Sequence, residues 1–500
     1  MKKITYSFPF VIAISLIIQG LGLVRSLILA KDFGASSTLD AFYLANVFTI
    51  SVFAVVGSAI TTIVIPELNA KTDFGSKKLY IEKYLTFIRV FSLIVSLFLL
   101  IFITLGRNMI VPKFSDQVKF LFIILTAVLL ISQQFRIQAS FSVSLLQNEG
   151  HYITPRFLDI IPVGIPVIYL ILAQSIDIKM LTILTAVAYI LETIIFNYIQ
   201  RKLNPDFVFR LHFGLDDDVK KMLLNTVPIL LSSTVFQIQV LLSNYFAGFF
   251  GHGYITLLSN TNQIMGIFQS LFIMNLINMI YPKLVKDIKK DFASGIAQVS
   301  KYVSLTNLIV VLLIWGYAAV GFDLVKLLFV HGAFSLDNAK IVYQFGLVLG
   351  MVLPFDVMRD YSYRIYYANG NTKKPMSNSI VTVVINVTLL IILANLIGPI
   401  SIVIAPALGT IFSMSLILFN SYKDYIRVDI KKIFLNYLLT NFLGFLMYLV
   451  IKVVHYVSES LIQEILINAS IGIVFVAIVI AFILFIARCM GINLIKSIFK

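Results

Sequence analysis

The sequence predicts an all-α polytopic membrane protein, and three observations carry the prediction. Of 500 residues 59% are hydrophobic and only 13% charged, with a mean hydropathy of +0.95, far more apolar than a soluble chain of this size needs to fill a core. The apolar runs are of helix length, roughly 20 to 28 residues each, not the roughly ten-residue alternating segments of an outer-membrane barrel. The cations gather in alternate loops between those runs, the asymmetry of a chain threaded back and forth through a bilayer.

Apolar runs between charged punctuation give about fourteen spans. They lie near 6–30, 42–66, 84–106, 119–146, 152–174, 178–200, 222–250, 254–281, 302–328, 340–368, 376–397, 399–421, 432–454 and 464–487. The first begins Met-Lys-Lys and imitates a secretory signal, but its apolar run continues to Ala30 with no small-residue cleavage site, so it reads as a retained helix. With the N-terminus in the cytoplasm, the inside loops hold Lys71, Lys77, Lys78 and Lys83, then Arg201, Lys202, Arg210, Lys220 and Lys221. Later inside loops add Lys283, Lys286, Lys289 and Lys290, then Lys373 and Lys374, then Lys423, Arg427, Lys431 and Lys432. The outer loops are short and poorer in cations, Lys31, Arg107, Lys113, Lys179 and Lys340 being the main exceptions. The expected placement is multi-pass in the cytoplasmic (inner) membrane with both termini inside. The net charge of +15 then belongs to loops facing anionic lipid rather than nucleic acid. A single Cys489 excludes an intramolecular disulfide and disfavours a cysteine metal site. No metal or cofactor is expected beyond a coupling ion or the membrane potential.

An internal repeat organises the spans. Ile65-Pro66-Glu67-Leu68 ends the second and Tyr281-Pro282-Lys283-Leu284 the eighth, the prolines 216 positions apart. Asn148-Glu149-Gly150 with Pro155 follows the fourth, and Asn369-Gly370 with Pro375 follows the tenth, the glycines 220 positions apart. Two such offsets across six spans argue for two six-helix lobes of the same orientation, related by a pseudo-twofold axis along the membrane normal. The domains are then an N-lobe at 1–200, a cytoplasmic linker at 201–221, a C-lobe at 222–421 and two additional helices in 422–500.

Ionisable residues inside spans are the candidates for function. Arg25 lies in the first span with Gly20 and Gly22 beside it, a composition suited to close helix contact. Two readings stand: a cation facing the bundle interior or a watery cavity, and an arginine snorkelling to the headgroups. Arg136, Arg156, Asp159, Glu192 and Arg364 join it, with interface anchoring favoured for Arg156, Asp159 and Arg364 and a structural role for Glu192. The tenth span places Asp356 and Asp360 at i and i+4 with Arg359 beside them, which suits either an internal ion pair or a cation or proton site. Ser232, Ser233, Gln237, Gln239, Ser243, Asn244, Asn260, Asn262, Gln263 and Gln269 make the seventh and eighth spans rich in neutral polar groups, dense enough to favour a wet cavity over interhelical glue. Asp216-Asp217-Asp218 precedes a helix and reads as capping. No soluble catalytic signature and no phosphate-binding glycine loop appears, so the chain is not expected to be an enzyme or to drive transport with its own ATPase.

Leu21 to Tyr43, LGLVRSLILAKDFGASSTLDAFY, resembles the opening of the MurJ (MviN) lipid II flippase family of the MOP exporter superfamily. Ile65-Pro66, Leu146 to Gly150 with Pro155, Tyr281 to Leu284, His331-Gly332-Ala333-Phe334 and Tyr367 to Pro375 resemble further landmarks, in order along the chain. The resemblance implies fourteen helices around a central cavity that opens alternately to each side, with a polyprenyl-diphosphate-linked saccharide as cargo. Membrane lipids and the glycan-synthesis machinery are the other partners it implies. Arg25 would grip the diphosphate with a planar fork, Asp40 would gate or couple near the outer end, and Asp356 and Asp360 would couple. The chain departs from the family's arginines at Gln19, around Val52 and at Gln263, so either the cargo headgroup differs or Arg136 and Arg359 supply the charge from other helices, with Gln263 as a neutral contact. The alternative is an ion-coupled small-molecule or multidrug exporter of the same superfamily, which would need acids in place of Arg25. A membrane-embedded glycosyltransferase would need a larger outer loop, and a scaffold without transport would have lost its cargo site.

Overall fold

The computed structural model describes all residues except 1, 69–73, 204, 206–209, 370, 426–428 and 490–500. Gly370 of the repeat, Lys71 and Arg427 of the cation pattern and part of the linker lie outside the described residues, as do the side chains of Lys77, Ser232, Tyr281, Pro282, Lys283, Lys289 and Cys489.

The chain is helical from end to end: α1 (Lys2–Phe33), α2 (Ser37–Leu68), α3 (Phe74–Ile110), α4 (Asp116–Asn148), α5 (Ile153–Leu158), α6 (Ile161–Leu172), α7 (Ile178–Leu203) and α8 (Asp217–Phe250) come first. Then follow α9 (Tyr254–Phe268), α10 (Asn275–Lys290), α11 (Phe292–Phe329), α12 (Leu336–Ala368), α13 (Lys373–Ile397), α14 (Ser401–Tyr425), α15 (Ile430–Val454) and α16 (Leu461–Cys489). Among the described residues eleven runs are long and apolar enough to cross a membrane, and one of them, Lys373–Tyr425, contains both α13 and α14. Each of the fourteen predicted spans falls on one helix or on a pair joined end to end. The fifth is α5 with α6, interrupted at Asp159 and Ile160 just before Pro162, whose missing N–H suits a helix start. The eighth is α9 and α10 joined through a π-helical turn, Gln269–Met274.

The repeat is written into hydrogen bonds. α4 and α12 are each 33 residues long and begin after Ser115 and Ser335, 220 positions apart, whose hydroxyls accept the backbone N–H of Val118 and Asn338. At the other end the N–H of His151 donates to Leu146 O at 2.8 Å, and that of Asn371 donates to Tyr366 O at 2.9 Å, again 220 positions apart. Gly150 supplies the left-handed conformation (φ +86°) that turns the chain out of α4.

The helices gather into two compact units. The first contains Met1–Ile267, Gly332–Phe334 and Met376–Gly409. Its core is where α2, α3, α4 and α8 meet, around Phe53, Ile60, Tyr84, Ile88, Phe141 and Met222. The stretch before α8 is fastened to α3 by Lys83 with Asp216 at 2.5 Å and by Glu82 with His212 at 2.9 Å. Asp216 occupies the N-cap position of α8, but its side chain makes no cap bond; Lys83 holds it instead. The second unit contains Phe268–His331, Ser335–Pro375 and Thr410–Lys500. Ile277, Tyr302, Val357, Tyr361 and Ile433 form its main core. A smaller cluster joins α11, α15 and α16 around Trp315, Met447 and Ile451, with the Trp315 indole donating to Asn441 Oδ1 at 3.2 Å.

Candidate functional site: a buried arginine and a trans-capped helix

Two stripes in the first unit build the site. On α9, Thr256, Asn260 and Gln263 recur at i, i+4 and i+7 and so share one face. That face meets α2 through Thr256 and α1 through Gln263, whose Nε2 donates to Gln19 O at 3.2 Å. Gly22 makes the second contact geometrically feasible, since a Cβ there would lie 2.9 Å from the same Nε2. Arg25 stands at i+3 from Gly22, on the adjoining surface of α1, inside the apolar span Phe10–Phe33. It is half-buried, and its Nε is buried with no hydrogen-bond partner among the described residues. Asn260 is fully buried, and both atoms of its amide lack partners in the same sense. Tyr43 of α2, 5% exposed, sits beside Ser26 and Ser259 and within electrostatic reach of Arg25. A guanidinium with a free buried donor, an amide without partners and the hydroxyls around Tyr43 thus belong to one helical unit, the first and last of them on apolar spans of membrane length. Such an arrangement favours an anion that accepts several hydrogen bonds at once.

Asp40 closes one end of this unit. Its carboxylate is fully buried and accepts three hydrogen bonds, from Gly253 N at 2.5 Å, Thr256 N at 2.8 Å and Thr256 Oγ1 at 2.7 Å. It therefore caps the positive end of α9 from another helix, supplying the acceptor that a local N-cap side chain ordinarily provides. Gly253 (φ +88°) packs so tightly that a Cβ would lie 2.6 Å from Ala35 O. Beside it, the N–H of Ala333 in the His-Gly-Ala-Phe segment donates to Lys31 O at 2.7 Å.

The remaining predicted residues lie elsewhere. Arg136 of α4 stacks its guanidinium 4.5 Å from the centre of the Tyr189 ring and donates to Gln133 Oε1 at 3.4 Å. It lines a separate cavity of about 540 Å³ whose walls include neither Arg25 nor Gln263. In the second unit, Arg359 bridges Asp356 at 2.8 Å and Asp360 at 3.2 Å, so these three charges form a single group. Arg156 pairs with Asp159 at 2.9 Å and donates to Ser15 Oγ at 2.9 Å. Sequence reasoning passed over Tyr43 and Arg89. The stripe that singles out Asn260 was readable in the eighth span, but Tyr43 reads as an ordinary aromatic of a buried helix, and Arg89 of α3, which donates to Gln138 Oε1, is a lone cation near the cytoplasmic end of the third predicted span.

The sequence profile described as Lipid II flippase MurJ matches residues 29–476. The chain belongs to that family. A curated relative, the probable lipid II flippase MurJ of Rickettsia prowazekii (strain Madrid E), is 23% identical over 457 residues, covering 89% of each chain. Among solved structures, a lipid II flippase MurJ in an inward closed conformation matches with a TM-score of 0.81 at 20% identity, over 94% of this chain and 99% of that one. An inward-facing multidrug resistance MATE family transporter of the MOP superfamily matches with 0.59 at 14% identity, over 81% and 94%. Both structural likenesses speak to the fold.

Proposed function

We propose that the chain is a flippase, a transporter rather than a catalyst, that carries a polyprenyl-diphosphate-linked saccharide across the cytoplasmic membrane by alternating access. Lipid II or a related cell-envelope glycan precursor is the cargo that family membership supports. The observation that carries the reading is Arg25, an intramembrane cation with a buried, unpartnered Nε, in the same unit as the unpartnered Asn260 amide. A diphosphate offers acceptors at the spacing of a guanidinium fork, and the low dielectric strengthens each bond. In this reading Arg25 holds the diphosphate, Gln263 and Asn260 add neutral hydrogen bonds, and Asp40 latches α9 on the outward side. Arg136 and Arg359 are engaged by Tyr189 and by two acids respectively, so they serve the cargo less directly. Asp356 and Asp360, which share Arg359, remain candidates for coupling. Both termini face the cytoplasm, where the glycan-synthesis machinery hands over its product. An exporter of cationic drugs would place an acid where Arg25 stands. Proteoliposome flipping assays with lipid II test the proposal: Arg25→Ala protein that inserts normally yet flips at the rate of the unmodified chain would sink it.

A further inference from the structure

The cavity that Arg136 lines holds a second constellation, separate from the Arg25 site. Its walls come from α2 (Gly57, Ser58, Thr61, Thr62), α4 (Arg136, Ser140), Asp159 and α7 (Glu192, Phe196). Glu192 is 2% exposed, and its Oε2 is buried with no hydrogen-bond partner among the described residues. Among those residues no ion pair joins it to a cation; Arg156 is taken by Asp159, and Arg136 faces the Tyr189 ring. Side chain to side chain, Glu192 meets the carboxyl of Asp159. Two carboxyl groups in hydrogen-bonding contact need a proton between them, because two charged ones repel at that distance. Glu192 is the more deeply buried of the two, and Asp159 already has Arg156.

We propose that Glu192 is a proton-binding site, with Asp159 and Arg136 as its two alternating partners. In this arrangement Glu192 carries the proton and donates it to Asp159. On release the proton passes into the cavity, which at about 540 Å³ holds several waters at roughly 30 Å³ each. The carboxylate left behind attracts Arg136, which moves from the ring face of Tyr189, and uptake reverses both steps. Every charged or titratable group facing Glu192 enters the scheme: Arg136 from α4, Asp159 and Arg156 from the α5 end, and Tyr189 on α7 itself. α2 contributes only uncharged residues to the wall, Gly57, Ser58, Thr61 and Thr62 among them. The cycle would tie a proton to the arrangement of α4 against α7, which is what coupling requires. It stands whether or not Arg25 grips a diphosphate.

Infrared difference spectra of the purified full-length protein, taken across a pH series, test it. The unmodified chain should show a protonated-carboxyl C=O band that disappears as pH rises, and the isosteric Glu192→Gln should lack that band. In Arg136→Gln the band should persist to more alkaline pH, because the cation that stabilises the carboxylate is gone. A band of equal intensity in Glu192→Gln overturns the proposal, and so does a titration that Arg136→Gln leaves in place. Because the unmodified chain is read first, the absence of any titrating carboxyl band overturns it even if both variants fail to fold.

Discussion

Arg25 and Asp40 are charged residues of opposite sign within one helical unit, and their surroundings assign them opposite tasks. Asp40 has its carboxylate engaged by Gly253 and Thr256, so its charge is spent inside the protein. Arg25 keeps a buried donor free, so its charge remains available to something else. Arg25→Ala should therefore abolish flipping while leaving the amount of protein in the membrane unchanged. Arg25→Lys should keep only part of the rate, because an ammonium retains the charge but not the planar fork. Membrane immunoblots alongside the flipping assay check both, and a parallel fall in protein and activity would mark the arginine as structural. Asp40→Ala should behave in the other way: it strands buried donors at the start of α9, each at a cost of about 1–3 kcal/mol, and should lower the melting temperature in detergent. Asp40→Asn, which still offers one oxygen, should recover part of that loss.

At the scale of helices and loops, two left-handed glycines allow a controlled comparison. A Cβ added at Gly150 (φ +86°) would meet nothing within 4 Å, whereas one added at Gly253 (φ +88°) would strike the backbone of Ala35. Gly150→Ala should cost only the conformational term, about 1–2 kcal/mol, while Gly253→Ala should cost visibly more in thermal stability, since backbone cannot step aside as a side chain can. Equal losses would show that the loops holding Gly253 and Ala35 separate freely. The Asp356, Arg359 and Asp360 group makes a second comparison on α12. Removing Arg359 leaves two acids without their cation, a loss of typically about 3–5 kcal/mol, so Arg359→Ala should express poorly. Arg359→Ala with Asp356→Asn should express better, and equal yields would argue that the pairing contributes nothing. This group was readable in the sequence because its members lie within one helical turn. The Asp40 latch was only half readable: the acid stands out in a small-residue segment, but its partners lie 213 and 216 positions away, beyond any local pattern. The surroundings of Glu192 were out of reach for the same reason, since only the fold brings Asp159 and Arg136 to its cavity.

For the whole molecule, the fourteen spans were legible because bilayer thickness imposes a length that hydropathy alone can measure. The repeat was legible because the fourth and tenth spans keep the same cap and the same C-terminal turn at one offset, 220 positions. The breaks in the fifth and eighth spans were not, although Pro162 stands at the first of them; a helix pair of unchanged hydropathy reads as one run. Orientation follows from neither length nor repeat but from loop charge, and it makes the most exposed prediction. With Cys489→Ser as background, a cysteine at Lys373, in the first turn of α13, should react with an impermeant thiol reagent only when the membrane is inverted or opened. One at Gly332 is a poor reporter, since Lys31 packs against it, so exposed Leu336, at the start of α12, is the better outer-face position and should react in intact cells. α12 connects the two positions and is long enough to cross the bilayer, so they must lie on opposite sides. Labelling of both from outside would break the single crossing by α12, and with it the even count of six spans that makes the two halves parallel.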